Sequence, residues 1–231
     1  MHRKSQYQGR RDICRRDTRR RRTCNPVFAK LATRLGITKF YQYLDLFGIS
    51  GTTGIDYPGE GVAILQNKKT AGPVGIATMG YGQGIAVTPI ELITAEASFG
   101  NGGMMMQPHL VKKIVSASGK TVKTVKPQKV RQTVSAATAK QICKVMEYVV
   151  NKGGGEKAKI KGYRVGGKTG TSNEEANKNS ITASFIGMAP MNDPKYIILY
   201  IVQKPQGQIY GSEVAAPGAR DVLLQALKYG K

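Results

Sequence analysis

The sequence contains few of the residues on which disulfide-rich, metal-binding or membrane-spanning proteins depend. It has no tryptophan, two histidines and three cysteines, and Cys14, Cys24 and Cys143 form neither a C-x-x-C pair nor a disulfide framework. No spacing of Cys, His and acidic residues indicates a metal site, so we expect neither a metal nor a cofactor. The longest wholly apolar run, residues 196–202, is too short to span a bilayer, and no apolar stretch like that of a secretory signal follows the basic N-terminus.

Acidic residues are also scarce, with 14 Asp and Glu against 36 Lys and Arg and a formal net charge of +22. Residues 1–22 hold ten Arg or Lys, two acids (Asp12 and Asp17) and almost no apolar side chains, which predicts an unstructured segment. Such an arm suits nucleic acid or an anionic membrane. A solvated tail is the simpler hypothesis, and we expect no specific nucleic acid partner.

Hydrophobic periodicity predicts helices along the rest of the chain. Two short helices are expected near residues 28–35 and 40–47, the second with Thr38 as its N-cap. A third begins at the capping box of Thr88 and Glu91, where Pro89 occupies the first helical position, and it stops at the Asn-Gly-Gly of residues 101–103.

Two more helices are predicted in the C-terminal half. One starts near Ser135 and has an apolar face that should be buried, made of Ile142, Cys143, Val145, Met146, Val149 and Val150. The other is amphipathic and should begin after Pro217, because proline is tolerated at a helix start and disrupts a helix interior.

Strand patterns complete an α+β architecture. Residues 109–130 alternate valine and lysine across Ser118-Gly119, which predicts an exposed hairpin. Residues 181–188 and 196–202 are joined by a turn too short for a parallel crossover, so they should pair antiparallel. Both are apolar on both faces and are expected inside a covered sheet. A preceding strand at residues 166–172 would make three antiparallel strands closed by the last helix.

That preceding strand carries the most informative motif, Gly-Gly-Lys-Thr-Gly-Thr-Ser. Residues 162–169 fit the phosphate-binding G-x-x-x-x-G-K-[ST] pattern, whereas Lys168-Thr169-Gly170 fits the K-T-G element of β-lactamases and penicillin-binding proteins. A phosphate-binding loop needs a buried strand before it and a helix after it. Here a lysine-rich segment precedes the motif, and glycine and threonine follow it, so the K-T-G interpretation is favoured.

Several stretches together resemble the transpeptidase domain of class B penicillin-binding proteins, the division and sporulation type. They occur in the family's order: residues 24–28, 53–60, 82–89 and 101–103, the Lys168 motif, and residues 184–190. The resemblance covers residues 23–231 and leaves residues 1–22 as an unrelated segment. It implies a β-lactamase/transpeptidase-like fold, an antiparallel sheet flanked by helices, that lacks the N-terminal part of the domain.

The resemblance also implies a chemistry. In this family the serine of S-x-x-K attacks the D-Ala-D-Ala carbonyl of a peptidoglycan stem peptide, and an amine from a second stem resolves the acyl-enzyme. The implied partners are that stem peptide, β-lactams as its mimics, and other proteins of cell-wall synthesis. Family members are anchored in the cytoplasmic membrane with the catalytic domain outside it.

By the same resemblance, each position of the motif has a role. Lys168 would place a positive charge near the substrate carboxylate, and Thr169 and Thr171 would hydrogen-bond that carboxylate. Gly170 would leave room for the substrate along the strand edge, since a Cβ there would obstruct it. The backbone N–H of Thr171 would be one of two oxyanion donors.

Two departures from the family limit what activity the sequence predicts. Thr23-Cys24-Asn25 lies where the family carries S-x-N, so Asn25 would orient the substrate amide, and Thr23 would replace the usual serine. No S-x-x-K occurs in the sequence, so the nucleophile, its lysine and the second oxyanion N–H are missing. We therefore expect a truncated transpeptidase domain that is inactive alone. The alternatives are an active D,D-transpeptidase, a pseudoenzyme that only binds substrate, and a nucleic-acid binder using residues 1–22.

Overall fold

The structure of the protein, a computed structural model, describes residues 24–174 and 177–230, without the side chains of residues 174 and 177–179. The predictions for residues 1–22 and for Thr23 therefore lie outside the described residues. Two compact units are present: residues Ala29–Cys143 form one, and the described residues on either side of that range form the other.

Helices and short strands alternate along the first part of the chain. The elements are α1 (Asn25–Leu35), α2 (Ile37–Leu46), β1 (Ile64–Leu65), α3 (Pro73–Met79), β2 (Ile85–Ala86), α4 (Pro89–Gly100), β3 (Met104–Met106), β4 (Lys113–Val115), β5 (Thr121–Thr124) and β6 (Lys129–Gln132). The strands pair antiparallel in three two-stranded ladders, β1 with β2, β3 with β6, and β4 with β5. The exposed hairpin predicted across Ser118-Gly119 is confirmed as β4 and β5, and every residue of both strands is exposed.

The capping box at the start of α4 is confirmed. The hydroxyl of Thr88 accepts a hydrogen bond from the Glu91 backbone N–H, and the Glu91 carboxylate accepts one from the Thr88 backbone N–H at 2.7 Å. The other carboxylate oxygen of Glu91 accepts from the Ala63 N–H at 3.0 Å. One buried side chain therefore fixes both the helix start and the segment leading into β1.

The N-cap predicted for α2 was wrong. The helix begins at Ile37, so Thr38 lies inside it, and the N-cap is Gly36 without a side-chain hydrogen bond. Gly36 has φ +80°, a backbone conformation that glycine adopts without strain and that threonine would not. A single glycine therefore separates α1 from α2.

The C-terminal part contains α5 (Ala136–Lys152), a short 3₁₀ helix (Glu156–Ala158), β7 (Gly166–Glu174), β8 (Asn177–Ala189), β9 (Tyr196–Gln203) and α6 (Gly211–Tyr229). The buried face of α5 was only partly predicted. Ala139, Met146 and Val150 are buried, whereas Val145 is 62% exposed. The buried positions are separated by seven and four residues and lie on one face of the helix, and Val145 is turned about 100° from Met146.

Strands β7, β8 and β9 form the three-stranded antiparallel sheet that was predicted, in that order. The expectation that both apolar strands are covered was wrong for β9. Ala183, Phe185 and Met188 of β8 are almost completely buried, but no residue of β9 is buried and Ile201 is 37% exposed. Among the described residues β9 pairs only with β8. It is therefore an edge strand, and its side chains are less enclosed than those of the central strand β8.

The last helix starts earlier than predicted, since it begins at Gly211 and Pro217 lies inside it. Its inner residues Ala215, Ala216, Ala219 and Leu223 pack with Phe185 of β8 in the core of this unit. Burial of this face sustains the helix despite the backbone N–H that proline lacks. The α+β class is confirmed.

Candidate functional site

The Lys-Thr-Gly motif lies inside β7, the first strand of the three-stranded sheet. Within the described residues, β7 pairs with β8 and with no other strand, so β7 is an edge strand of this sheet. Lys168 pairs with Ile186, and the strand continues through Ser172 to Glu174 without turning into a helix. This geometry excludes the phosphate-loop alternative, which needs a helix directly after the lysine and threonine.

Strand alternation separates the functional side chains into two sets. Thr169 and Thr171 project from one face of β7, and Lys168 and Gly170 occupy the other. Lys168 is half-buried, and its Nζ donates to the carbonyl oxygen of Thr169 at 2.6 Å. The edge strand β7 therefore carries two hydroxyls, of Thr169 and Thr171, and the ammonium group of Lys168 within four consecutive residues.

Thr171 is tied to the start of α6. The backbone N–H of Gly211 donates to Oγ1 of Thr171 at 3.1 Å, which joins residues 40 positions apart in the sequence. The threonine itself is exposed, while Gly211 is buried. Sequence reasoning found Thr171 but missed Gly211, for which the only signal was a glycine between a tyrosine and a serine.

The structure gives Gly170 a second reason to lack a side chain. It pairs with Ser184 of β8, and a Cβ at position 170 would lie 2.5 Å from the Ser184 hydroxyl oxygen. That separation is about 1 Å shorter than an ordinary contact between such atoms. Room for a ligand and the present rotamer of Ser184 both favour glycine here.

The entry to β7 is held by an ion pair. The guanidinium of Arg164 donates to both carboxylate oxygens of Glu147, each at 2.7 Å. Only 16% of the Glu147 side chain is exposed, compared with 58% for Arg164. This hydrogen bond from Arg164, followed by its charge, lowers the pKa of Glu147 below its usual value although burial opposes the shift. Two-point contacts of this kind fix direction as well as distance.

The remaining predicted site residues lie away from the motif in the sequence. Asn25 is the first residue of α1 and is exposed. Thr23 lies outside the described residues. In the described part of the chain, no group of three or more Cys, His, Asp or Glu side chains is arranged to hold a metal ion. None of the helices described there combines the length and apolar character needed to cross a membrane.

Residues 53–60 lie in the other unit, Ala29–Cys143, and two carboxylates of this stretch, those of Asp56 and Glu60, fix its conformation. Glu60 accepts hydrogen bonds from the N–H and hydroxyl of Thr53, both at 2.6 Å. Asp56 accepts from the backbone N–H groups of Leu110 and Val111 at 2.6 and 2.9 Å, and these bonds lower its pKa. A cavity of about 300 Å³ lies beside this loop. Both acids therefore serve to shape the loop.

Residues 18–224 match the family model of the penicillin binding protein transpeptidase domain, so the chain belongs to that family. A curated relative, stage V sporulation protein D of Bacillus subtilis, is 40% identical over 211 residues, which are 89% of this chain and 33% of that protein. The peptidoglycan D,D-transpeptidase FtsI homolog of Mesostigma viride is 27% identical over 90% of this chain and 38% of its own length. The chain thus spans about a third of these curated relatives.

Solved structures agree with this assignment. The D,D-transpeptidase domain of a peptidoglycan glycosyltransferase from Eggerthella lenta is 28% identical, with a TM-score of 0.76 over 93% of this chain and 53% of that one. Penicillin-binding protein A of M. tuberculosis, solved as a ceftriaxone acyl-enzyme complex, has a TM-score of 0.81 over 89% of this chain and 46% of that one. Because the two sequences are only 23% identical, this similarity supports the fold alone. The resemblance and the transpeptidase-like fold expected from the sequence are confirmed.

Proposed function

We propose that residues 23–231 form the substrate-carboxylate side of a D,D-transpeptidase site that cross-links peptidoglycan stem peptides. In this proposal Lys168 attracts the C-terminal carboxylate of a D-Ala-D-Ala donor, and the hydroxyls of Thr169 and Thr171 bind it. By the family pattern Asn25 would orient the substrate amide, Thr23 would stand where the family carries a serine, and the N–H of Thr171 would face the developing oxyanion. β-Lactams, as donor mimics with a carboxylate, would use the same contacts.

One observation carries this proposal: among the described residues, the Lys-Thr-Gly motif lies on an edge strand of an antiparallel sheet. An extended peptide can lie along such a margin and meet side chains at every second position. In the proposal the charge of Lys168, on one face of the strand, attracts the carboxylate, and the two threonine hydroxyls on the other face bind it. Hydrogen bonds to a charged group are the strong ones. Family membership supports the substrate class. The 40% identity to stage V sporulation protein D supports a role in sporulation. The family resemblance supports cell-wall synthesis, outside the cytoplasmic membrane, as that role.

The second part of the proposal is that these 231 residues do not perform the acyl transfer alone. Nucleophilic catalysis needs a hydroxyl with a base within hydrogen-bond reach, which S-x-x-K supplies in the family. That motif does not occur in the sequence. The chain by itself is then a reversible binder of acyl-D-Ala-D-Ala, the same behaviour expected of a pseudoenzyme.

The test measures both parts. Fluorescent penicillin with intact-mass detection should give no covalent adduct, and a stable adduct would contradict the second part. Titration with N-acetyl-D-Ala-D-Ala should give weak, salt-sensitive binding that Lys168→Ala weakens about tenfold, as expected for one lost contact to a charged group.

Controls are needed because a net charge of +22 attracts any anion. Lys161→Ala removes the same charge from an exposed position in the same unit and should leave the affinity nearly unchanged. The C-terminal amide of the same ligand lacks the carboxylate and should bind Lys168→Ala and the unmodified protein alike. Equal losses from the two lysine variants would overturn the carboxylate site.

A further inference from the structure

The first turn of α6 has an unusual cap. Tyr210 occupies the N-cap position, and its side chain makes no capping hydrogen bond. Its carbonyl oxygen accepts from the N–H groups of Glu213 and Val214 at 2.8 and 3.1 Å. The N–H of Gly211, one of the groups that a helix cannot satisfy internally, donates to Thr171 on β7. The Thr171 side chain of β7 thus acts as a helix cap for α6.

Only glycine permits this arrangement at position 211. A Cβ there would lie 2.4 Å from the carbonyl oxygen of Gly170 and 2.4 Å from that of Ser184. Both are backbone atoms of paired strands, so neither can rotate away as a side chain would. An alanine at position 211 would therefore push the helix start away from the sheet, and the hydrogen bond to Thr171 would lengthen.

We propose that Gly211 is a positioning residue for Thr171, which it holds with the hydroxyl hydrogen directed toward the ligand carboxylate. This inference rests on the proposed function. A hydroxyl has one donor and two acceptor sites, so when its oxygen accepts from the Gly211 N–H, its own hydrogen must point elsewhere. Gly211 lies at the positive end of a 19-residue helix, and a donor that also accepts is polarised by its partner. Thr171 thereby becomes a fixed, strengthened donor to an anion.

Amide exchange tests the contact without ligand. The Gly211 N–H should be protected in the unmodified protein and in Thr171→Ser, which keeps Oγ. It should exchange at least about tenfold faster in Thr171→Val, which keeps the shape and loses the acceptor. Equal protection in all three proteins would overturn the proposal. This comparison does not require Gly211→Ala to fold.

Binding tests the consequence. Dissociation constants for N-acetyl-D-Ala-D-Ala should rise about tenfold in Thr171→Val and by a similar factor in Gly211→Ala, although Gly211 does not touch the ligand, and stay within about threefold in Thr171→Ser. If Gly211 acts through Thr171, the double variant should bind no more weakly than Thr171→Val. Multiplied losses, about a hundredfold, would show that Gly211 acts independently and would overturn the proposal.

Gly218→Ala is the matched control, since it adds the same methyl group elsewhere on the helix. Its Cβ would lie 2.5 Å from the ring of Tyr200, so we expect a lower melting temperature with unchanged affinity. A loss of affinity equal to that of Gly211→Ala would mean that general loosening of the helix explains both variants. Absence of any binding by the unmodified protein would contradict the proposed function, and amide exchange would then decide the Gly211–Thr171 contact by itself.

Discussion

Replacement of Gly170 by alanine separates two reasons for a glycine in the motif. One reason is external, because a ligand lies along the strand, and the other is internal, because Ser184 occupies the space. The added Cβ would meet the Ser184 hydroxyl oxygen at 2.5 Å but the Ser184 Cβ at 3.8 Å. The conflict therefore lies with one oxygen atom, and Ser184→Ala removes it while leaving an ordinary contact.

The magnitudes follow from these distances. Gly170→Ala alone should lower the free energy of unfolding by about 0.5–1.5 kcal/mol, the cost of forcing the Ser184 hydroxyl out of its rotamer. In the Ser184→Ala background the same change should be neutral, or stabilise by about 0.4–1 kcal/mol, since alanine restricts the unfolded chain more than glycine does. The coupling between the two positions is then about 0.5–2.5 kcal/mol, within the range seen for residues in contact.

Urea unfolding of the four proteins of this cycle measures the coupling, and ligand titration of the same samples addresses the external reason. We expect the double variant to regain stability without regaining affinity for N-acetyl-D-Ala-D-Ala. A double variant as unstable as Gly170→Ala would refute the assignment of the conflict to Ser184. Restored affinity together with restored stability would refute the role of Gly170 in making room for the ligand.

Two further predictions concern parts of the fold that support the site. Because Arg164 lowers the pKa of Glu147, the ionised carboxylate stabilises the fold above the unfolded-state value of about 4.3, and this stabilisation is lost as the pH falls through the lower folded-state pKa. Glu147→Gln should therefore flatten the fall in melting temperature between about pH 6 and pH 3, and an unchanged slope would contradict this. Thr88→Ala should cost about 1 kcal/mol, or roughly 2–4 °C, by removing the cap of α4; Thr124→Ala on the exposed hairpin should cost less, and equal losses would argue against the cap.

Local signals explain what the sequence predicted correctly. The capping box of Thr88 and Glu91 and the Ser118-Gly119 turn are complete within a few residues, so each specifies its own structure. The short turn before β9 likewise left antiparallel pairing as the only geometry. The order of the three strands followed from these constraints together.

Non-local contacts account for the rest. The exposure of β9 depends on which strands flank it, and an apolar segment has the same composition at the centre of a sheet and at its margin. The sequence predicted a helix that begins after Pro217, but packing of the alanine-rich face extends α6 seven residues further toward the N-terminus. The bond between Thr171 and Gly211 joins positions 40 residues apart, and no periodicity in the sequence marks it.

Over the first nine residues of helix α6, the buried positions carry nothing larger than a methyl group: Gly211, Ala215, Ala216 and Ala219. At Gly211 the spacing between the helix and the strands is set by the carbonyl oxygens of Gly170 and Ser184, main-chain atoms that cannot repack as leucine or methionine side chains do. Where larger side chains pack, neighbouring side chains can change rotamer to accommodate a substitution. One added methyl group at Gly211 would instead displace the start of α6. Substitutions at these positions are thereby limited to the smallest residues, and the start of α6 keeps its distance from the Thr171 hydroxyl.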